Sequence, residues 1–313
     1  MHYYKLIQFN LLFWSVILLT PHLYSQNFEV TRSGEGIEIL QQGKKVLFYQ
    51  QRPKSLDGKY ERAGYVHPLY SLNGEILTED FPIDHPFHRG IFWAWHQIVI
   101  NNKQMADGWI CENISWKPME VKIKKGKENV ILQSTMTWNV NLGQNNSKDI
   151  IKEHTKITVH KSTGLYRAID FDIQLFAMTD SLKIGGSDDV KGYGGFCLRL
   201  KLPKDISFVS SDTAITPMET AVNAGPWMDF TGSFDGTLMP KTGVAVFCGQ
   251  PAADQQSWIL RKQASMQNIP YPGRTPVTLP KKGLKLSYRI IIHNGDMSNN
   301  DLEKLYKEYR RKF

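Results

Sequence analysis

The sequence predicts an all-β fold: two large antiparallel sheets packed face to face as a sandwich, with one short helix at the C-terminus. Three observations lead there. Period-two alternation of apolar and polar residues recurs through VILQSTMTWNV (130–140), IIKEHTKITVH (150–160), YRAIDFDIQLFA (166–177), VAVFCG (244–249) and KLSYRIIIH (285–293). Each segment is rich in β-branched and aromatic residues and is bounded by Gly, Asn, Asp or Pro, as strands are. Only NNDLEKLYKEYRRKF (299–313) has amphipathic helical spacing; Asn300 is placed to cap it, and Arg310, Arg311 and Lys312 suit its C-terminal dipole. Many strands in series on a chain of this size favour a sandwich.

The N-terminus reads as a leader. Lys5 precedes an apolar run from Leu6 to Thr20, followed by Pro21 and a short polar exit. That pattern is a secretory signal peptide, residues 1–25, cut after Ser25. The run is short of the roughly 20 apolar residues that span a bilayer. Residues 26–313 are then expected to form one domain with no further membrane span, located in the periplasm or secreted. No linker or internal repeat interrupts them, and GQNNSK (143–148) reads as a hairpin loop.

The formal charge is +8, but the lysines are scattered and no nucleic-acid motif is present, so nucleic acid is not an expected partner. Cys111, Cys197 and Cys248 are an odd number without metal-ligand spacing, and they read as buried small residues.

The candidate chemistry concentrates in YVHPLYSLNGEILTEDFPIDHPFHRGIFWAWH (65–96). Pro86 disfavours helix at His85, so His85, His88 and Arg89 are presented by a loop. Two imidazoles beside a guanidinium suit a general acid or base next to an anion or oxyanion clamp. A zinc or iron site using His85 and His88 with His96 or His293 is an alternative, although no HExxH spacing supports it. Trp93 and Trp95 read as core residues, and His96 as a hydrogen-bonded histidine beside them.

Glu153 falls on the apolar face of its strand with Ile151, Thr155, Ile157 and Val159. Burial would raise its pKa and suit it to acid–base work, while a salt bridge to Arg167, Arg199 or Arg289 would make it structural. Asp170 and Asp172 alternate opposite apolar residues and read as exposed. The glycine-rich entry KGYGGFCLR (191–199) places Lys191, Tyr193 and Arg199 along a groove and is no phosphate loop, since it leads into a strand. His293 ends the last long strand.

These elements resemble a family of secreted bacterial proteins labelled "methane monooxygenase PmoA-like". The matching segments are YVHPLYSLNGEILTEDFPIDHPFHRG (65–90), VKGYGGFCLRL (190–200), WMDFTG (227–232) and YRIIIHNG (288–295). Phe87 stands where that family has a third histidine, in DHPHHRG. A methane oxygenase subunit crosses the membrane several times, which this chain does not, so the label does not describe its activity. What the resemblance implies is a β-supersandwich similar to galactose mutarotase, and with it a carbohydrate ligand.

The expectation is therefore an exported carbohydrate-active enzyme of lyase or hydrolase type. His85, His88 and Glu153 would be its acid–base groups and Arg89 with Arg199 its clamp, while Lys191, Tyr193, Trp109 and His293 would bind the sugar. No cofactor is expected. A glycan-binding protein without catalysis is the rival, and an epimerase or a metal-dependent enzyme the weaker alternative.

Overall fold

The computed structural model describes residues 28–143, 146–211, 213–234, 236, 241–249, 256–263, 266–295 and 297–313. The expected leader, residues 1–25, lies outside them. Among the described residues two large sheets form, with antiparallel pairing throughout. The first has seven strands in the order Phe28–Arg32, Gly36–Gln41, Lys44–Gln50, Tyr65–Leu69, Ile91–Trp95, Gly194–Arg199 and Met266–Pro270. The second has nine. Its long centre runs Ile114–Lys125, Asn129–Gly143, Asn146–His160, Tyr166–Ala177 and Leu284–Asn294, and Thr242–Cys248 and Trp227–Gly232 continue it. The two strands around the expected hairpin pair directly, with Gly143 opposite Asn146.

Alternation explains how the sheets meet. In Asn146–His160, Ile151, Glu153, Thr155, Ile157 and Val159 are buried, while Lys152, His154 and Lys156 face outward. The inward faces of both sheets share one core, in which the rings of Phe196 and Tyr288 stack at 4.2 Å. Tyr49 reaches across to Ser134 through a 2.8 Å hydrogen bond. Ile91–Trp95 differs because both of its faces are covered. Ile91, Trp93 and Trp95 enter the main core, whereas Phe92 and Ala94 pack with Tyr65, Trp109, Cys197 and Met266 on the sheet's other side. That second covering layer carries the candidate site.

Two expectations about carboxylates need correction. Glu153 is enclosed between the sheets, and its partners are not arginines. It accepts from Trp93 Nε1 at 3.0 Å, Trp138 Nε1 at 2.9 Å and Thr155 Oγ1 at 2.7 Å. Burial pushes its pKa up against these three donors. Asp170 is buried, not exposed, because the C-terminal residues fold over that face. It binds Arg289 at 2.5 and 2.8 Å, His160 at 3.0 Å and Lys312 at 2.7 Å. Burial alone would raise its pKa, but Arg289 and His160 hold the carboxyl well below the usual range.

The helix Asn299–Arg310 rests Leu302, Tyr306 and Tyr309 on Trp227, Ala245, Phe247 and Ile291 of the nine-stranded sheet. Its cap is Ser298, whose hydroxyl accepts from Asp301 N, in place of the expected Asn300. All three cysteines are free, Cys197 and Cys248 buried as expected.

Replacing Glu153 by Leu leaves the Trp93 and Trp138 N–H groups without acceptors inside the core. Urea denaturation of Glu153→Leu is expected to show a loss of about 2 kcal/mol or more; an unchanged midpoint would contradict the bonding described.

Candidate functional site

The segment between Leu69 and Ile91 folds over the end of the seven-stranded sheet and is tied down at several points. Thr78 Oγ1 accepts from Leu69 N at 3.1 Å, and the backbone bonds Glu79 N to Arg199 O and Arg199 N to Gly90 O fasten it to Gly194–Arg199. Gly90 is needed for close approach: a Cβ there would lie 2.2 Å from Val66 O. Arg89 is the internal anchor. Its side chain has no exposed surface and donates to the carbonyls of Pro86 at 2.7 Å, His88 at 2.9 Å and Tyr60. Its guanidinium also lies 3.6 Å from the centre of the Phe81 ring.

On this anchored loop the rings of His85 and His88 stack, 4.8 Å apart and within 5° of parallel. The two have different partners. Arg199 NH1 donates to His88 Nδ1 at 3.1 Å, and a guanidinium has no acceptor to offer, so the His88 proton must sit on Nε2. Burial, then the charge of Arg199, drives the His88 pKa down to about 2, so this ring is neutral.

His85 Nδ1 lies 2.9 Å from Asp84 Oδ2, and Asp84 Oδ1 takes Arg199 NH2 at 2.6 Å. Burial works against the Asp84 charge, but Arg199 and His85 hold its pKa down to about 2. An ionised carboxylate only accepts, so His85 donates from Nδ1, and in the neutral ring the lone pair is on Nε2. One arginine and one aspartate thus set two stacked imidazoles in opposite polarity, His85 offering an acceptor and His88 a donor.

Both rings open into a hollow of about 310 Å³, lined also by Phe87, His96, Trp109, Lys191, Tyr193, Arg261 and Met266. Trp109 stands at its centre, meeting His88 edge-on at 5.8 Å, stacking on His96 at 5.2 Å and leaning on Tyr193 at 5.6 Å. Asp107 builds its turn by accepting from Trp109 N at 2.9 Å and Ile110 N at 3.2 Å, while its other oxygen holds His96 Nδ1 at 2.8 Å. From beneath, the buried Arg62 donates to Trp109 O at 3.2 Å and lies 4.9 Å from the Phe92 ring centre. Phe87 packs edge-on against His85 at 5.6 Å and His88 at 4.8 Å, so the position without a third imidazole still braces the pair.

Of the residues singled out in the sequence, His85, His88, Trp109, Lys191 and Tyr193 come together here. Arg199 lies behind them as the linker of the pair, also contacting Glu79 at 3.0 Å. Three do not join them. Arg89 is turned inward under the loop, and Glu153 is sealed between the sheets. His293 is fully buried in the nine-stranded sheet, 3.1 Å from Asp229 and 3.0 Å from Gly295 O. Among the described residues no group of three or more His, Cys, Asp or Glu converges as a ligand set for a metal.

Arg261 and Met266, which line the hollow, and Arg62 and Asp107, which hold Trp109, were not legible as site residues, because each comes from a segment with no motif of its own. Lys191 and Tyr193, expected along a groove, line this hollow. A wider concavity of about 860 Å³ does lie on the outer face of the nine-stranded sheet. Both of its aspartates are engaged, Asp170 with Lys312 and with Arg289 behind it, and Asp172 with Lys156.

The chain belongs to a family of unknown function, DUF6807, whose model matches residues 36–307. No curated protein matches it. Among solved structures it is similar to a galactose 1-epimerase from Lactobacillus acidophilus NCFM, at 11% identity and a TM-score of 0.41. That match covers 86% of this chain and 99% of the other. Neither comparison carries the PmoA-like label.

Two buried imidazoles should make the fold acid-sensitive. His88 is held near 2 and His67, chiefly by burial, near 4, whereas unfolded histidines titrate at about 6.5. Both folded values lie below the unfolded one, so the contribution is complete above pH 6.5 and is lost as pH falls from there. Each group adds a slope approaching about 1.4 kcal/mol per pH unit. Urea denaturation between pH 7 and 5 should show this slope, lessened by one group in His88→Gln; an unaltered slope in the variant would mean that His88 is not held neutral.

Proposed function

We propose that the chain is a carbohydrate-active enzyme that works by imidazole acid–base chemistry in the pocket of His85 and His88. The observation that carries this is the opposed polarity of the stacked pair. His85 Nε2 can take a proton from a bound substrate, while His88 Nε2–H donates a hydrogen bond to the oxygen on which charge develops. A donor that is neutral and already oriented stabilises such an oxygen without giving up its proton, as in other neutral-histidine electrophiles.

The saccharide part of the reading is supported by the wall of Trp109, Tyr193 and Phe87 set among polar imidazoles. An aromatic face against the C–H face of a sugar ring, with hydrogen-bonding groups at its edge, is how such pockets divide the work. At about 310 Å³ the pocket is at the small end of ligand sites, which run from about 300 to 1,000 Å³, and it suits a monosaccharide or a chain end more than a length of polymer.

The type of reaction follows from what lines the pocket. Hydrolysis of a glycoside ordinarily uses two carboxyl groups flanking the bond, and none of the lining residues is a carboxylate. A base paired with a hydrogen-bond donor fits proton abstraction, leading to elimination or epimerisation. Between the lyase and hydrolase expectations the geometry favours the former, and it raises epimerisation beside it. Export of the chain, read from residues 1–25, is part of the same proposal.

Mass spectrometry of products from a panel of neutral, uronate-containing and oxidised saccharides tests it. Elimination gives unsaturated products, and epimerisation gives products of unchanged mass that separate by chromatography. Products that gain water would overturn the proton-abstraction assignment, and binding without any product would favour the non-catalytic glycan-binding reading.

The two histidines should also respond differently. His85→Gln removes the base and is expected to lower kcat/KM by about 10²–10⁴-fold. His88→Gln keeps an N–H donor and should lose far less than His88→Ala, for which about 10²–10³-fold is expected. Equal losses in His88→Gln and His88→Ala would contradict the donor role.

A further inference from the structure

We infer that the substrate is a sugar acid whose carboxylate faces Lys191 and Arg261, a conclusion that rests on the saccharide reading above and narrows it. The charged residues lining the pocket, apart from its histidines, are Lys191 and Arg261, both cationic. Three nearby carboxylates are already engaged elsewhere. Asp84 is held by Arg199 and His85, and Asp107 by His96 and the amides of Trp109 and Ile110. Asp189 accepts from Ser187 Oγ at 2.8 Å and from the amides of Lys191 at 2.8 Å and Gly192 at 3.2 Å.

Among the described residues neither cation is paired with a carboxylate by contact. Arg261 donates to the carbonyls of Met218, Leu260 and Glu219, each at 2.8 Å, and to the Tyr193 hydroxyl. None of these is a carboxylate, so among the described residues the guanidinium is fixed while its charge stays uncompensated by contact. Arg62, beneath Trp109, is likewise held by carbonyls, and its charge is felt at His88. Lys191 makes no ion pair or hydrogen bond through Nζ among the described residues, although its backbone is pinned by Asp189. A half-enclosed pocket with fixed positive charge and no lining carboxylate favours an anion.

A carboxylate fits better than a phosphate. Phosphate is usually cradled by the backbone N–H groups of a glycine-rich turn. Here that turn, Lys191 to Tyr193, has spent its amides on Asp189 and Ser187. A carboxylate also supplies what His85 needs. His85 Nε2 removes the proton from the carbon that bears the carboxylate, and the C–H electron pair moves into a carbon–carbon double bond with charge on the carboxylate oxygens. Lys191 and Arg261 balance that charge while His88 Nε2–H donates to one oxygen. The pair then takes one of two courses: it returns to carbon, which accepts a proton from water on the other face while His85 gives its proton back to water, or it forms a double bond to the neighbouring carbon as that carbon's oxygen substituent departs and takes the proton from His85 as an alcohol. No further reactant is required.

Isothermal titration of the purified protein with matched pairs decides the matter: glucose against glucuronate, galactose against galacturonate, and methyl galacturonate as the uncharged ester. The acids are expected to bind at least about 10-fold tighter than their neutral partners and the ester. Lys191→Gln should lower the affinity for the acids about 10-fold and leave the neutral sugars unchanged, with circular dichroism confirming an intact fold.

If neutral sugars bind as well as the acids and Lys191→Gln changes nothing, the inference is wrong while the saccharide reading stands. Inorganic phosphate competing as strongly as the uronates would assign the cations to a phosphate group and overturn the carboxylate. Failure of every sugar to bind would remove the saccharide reading itself.

Discussion

Arg199 is almost fully buried at the end of Gly194–Arg199, and a guanidinium in that position needs acceptors for its five N–H groups. It finds them in Glu79, Asp84 and the Nδ1 of His88. All three belong to the single loop between Leu69 and Ile91. The same ion therefore fastens that loop to the sheet, ionises Asp84, fixes the tautomer of His88 and, through Asp84, that of His85. Remove it and the loop loses an anchor while His88 loses its assigned polarity. Two other buried arginines are simpler: Arg89 fixes the fold of the loop from inside, and Arg62 holds the turn that carries Trp109.

The sandwich makes this arrangement possible. Ile91–Trp95 gives its odd residues to the core between the sheets and its even residues to a second layer. That second layer is thick enough to bury Trp109 and His88, and thin enough to leave His85, Tyr193 and Lys191 at a mouth. A strand with one wet face could not have held a neutral imidazole against an arginine, because water would have competed for both. The burial that lowers the His88 pKa also costs stability in acid, a cost ordinarily tolerated where a group has work to do.

Much of the framework was legible before any coordinates. Alternation placed the long strands, the inward face of Glu153 and the loop presentation of the histidines, because each depends on local periodicity or on Pro86. Partners were not legible, since they come from far along the chain. Glu153 read either as an acid–base group or as the partner of an arginine, and instead it meets two indoles, from Trp93 and Trp138. Asp170 looked exposed because the cover supplied by Tyr309 and Lys312 lies about 140 residues away. Arg89 and Arg199 have the same chemistry in sequence, and only the direction of each side chain separates an internal anchor from the linker of the pair. Arg261 carried no local signal, yet it supplies half of the pocket's fixed charge.

The central claim is that His85 and His88 are held in opposite tautomers. Nitrogen-15 chemical shifts of the imidazole rings, assigned through His85→Gln and His88→Gln, measure this directly in the ligand-free protein near neutral pH. The account predicts a proton on Nδ1 and a bare Nε2 for neutral His85, with the reverse for His88, and loss of the His88 pattern in Arg199→Lys. Finding both rings in the same tautomer, or His88 doubly protonated at neutral pH, would contradict it.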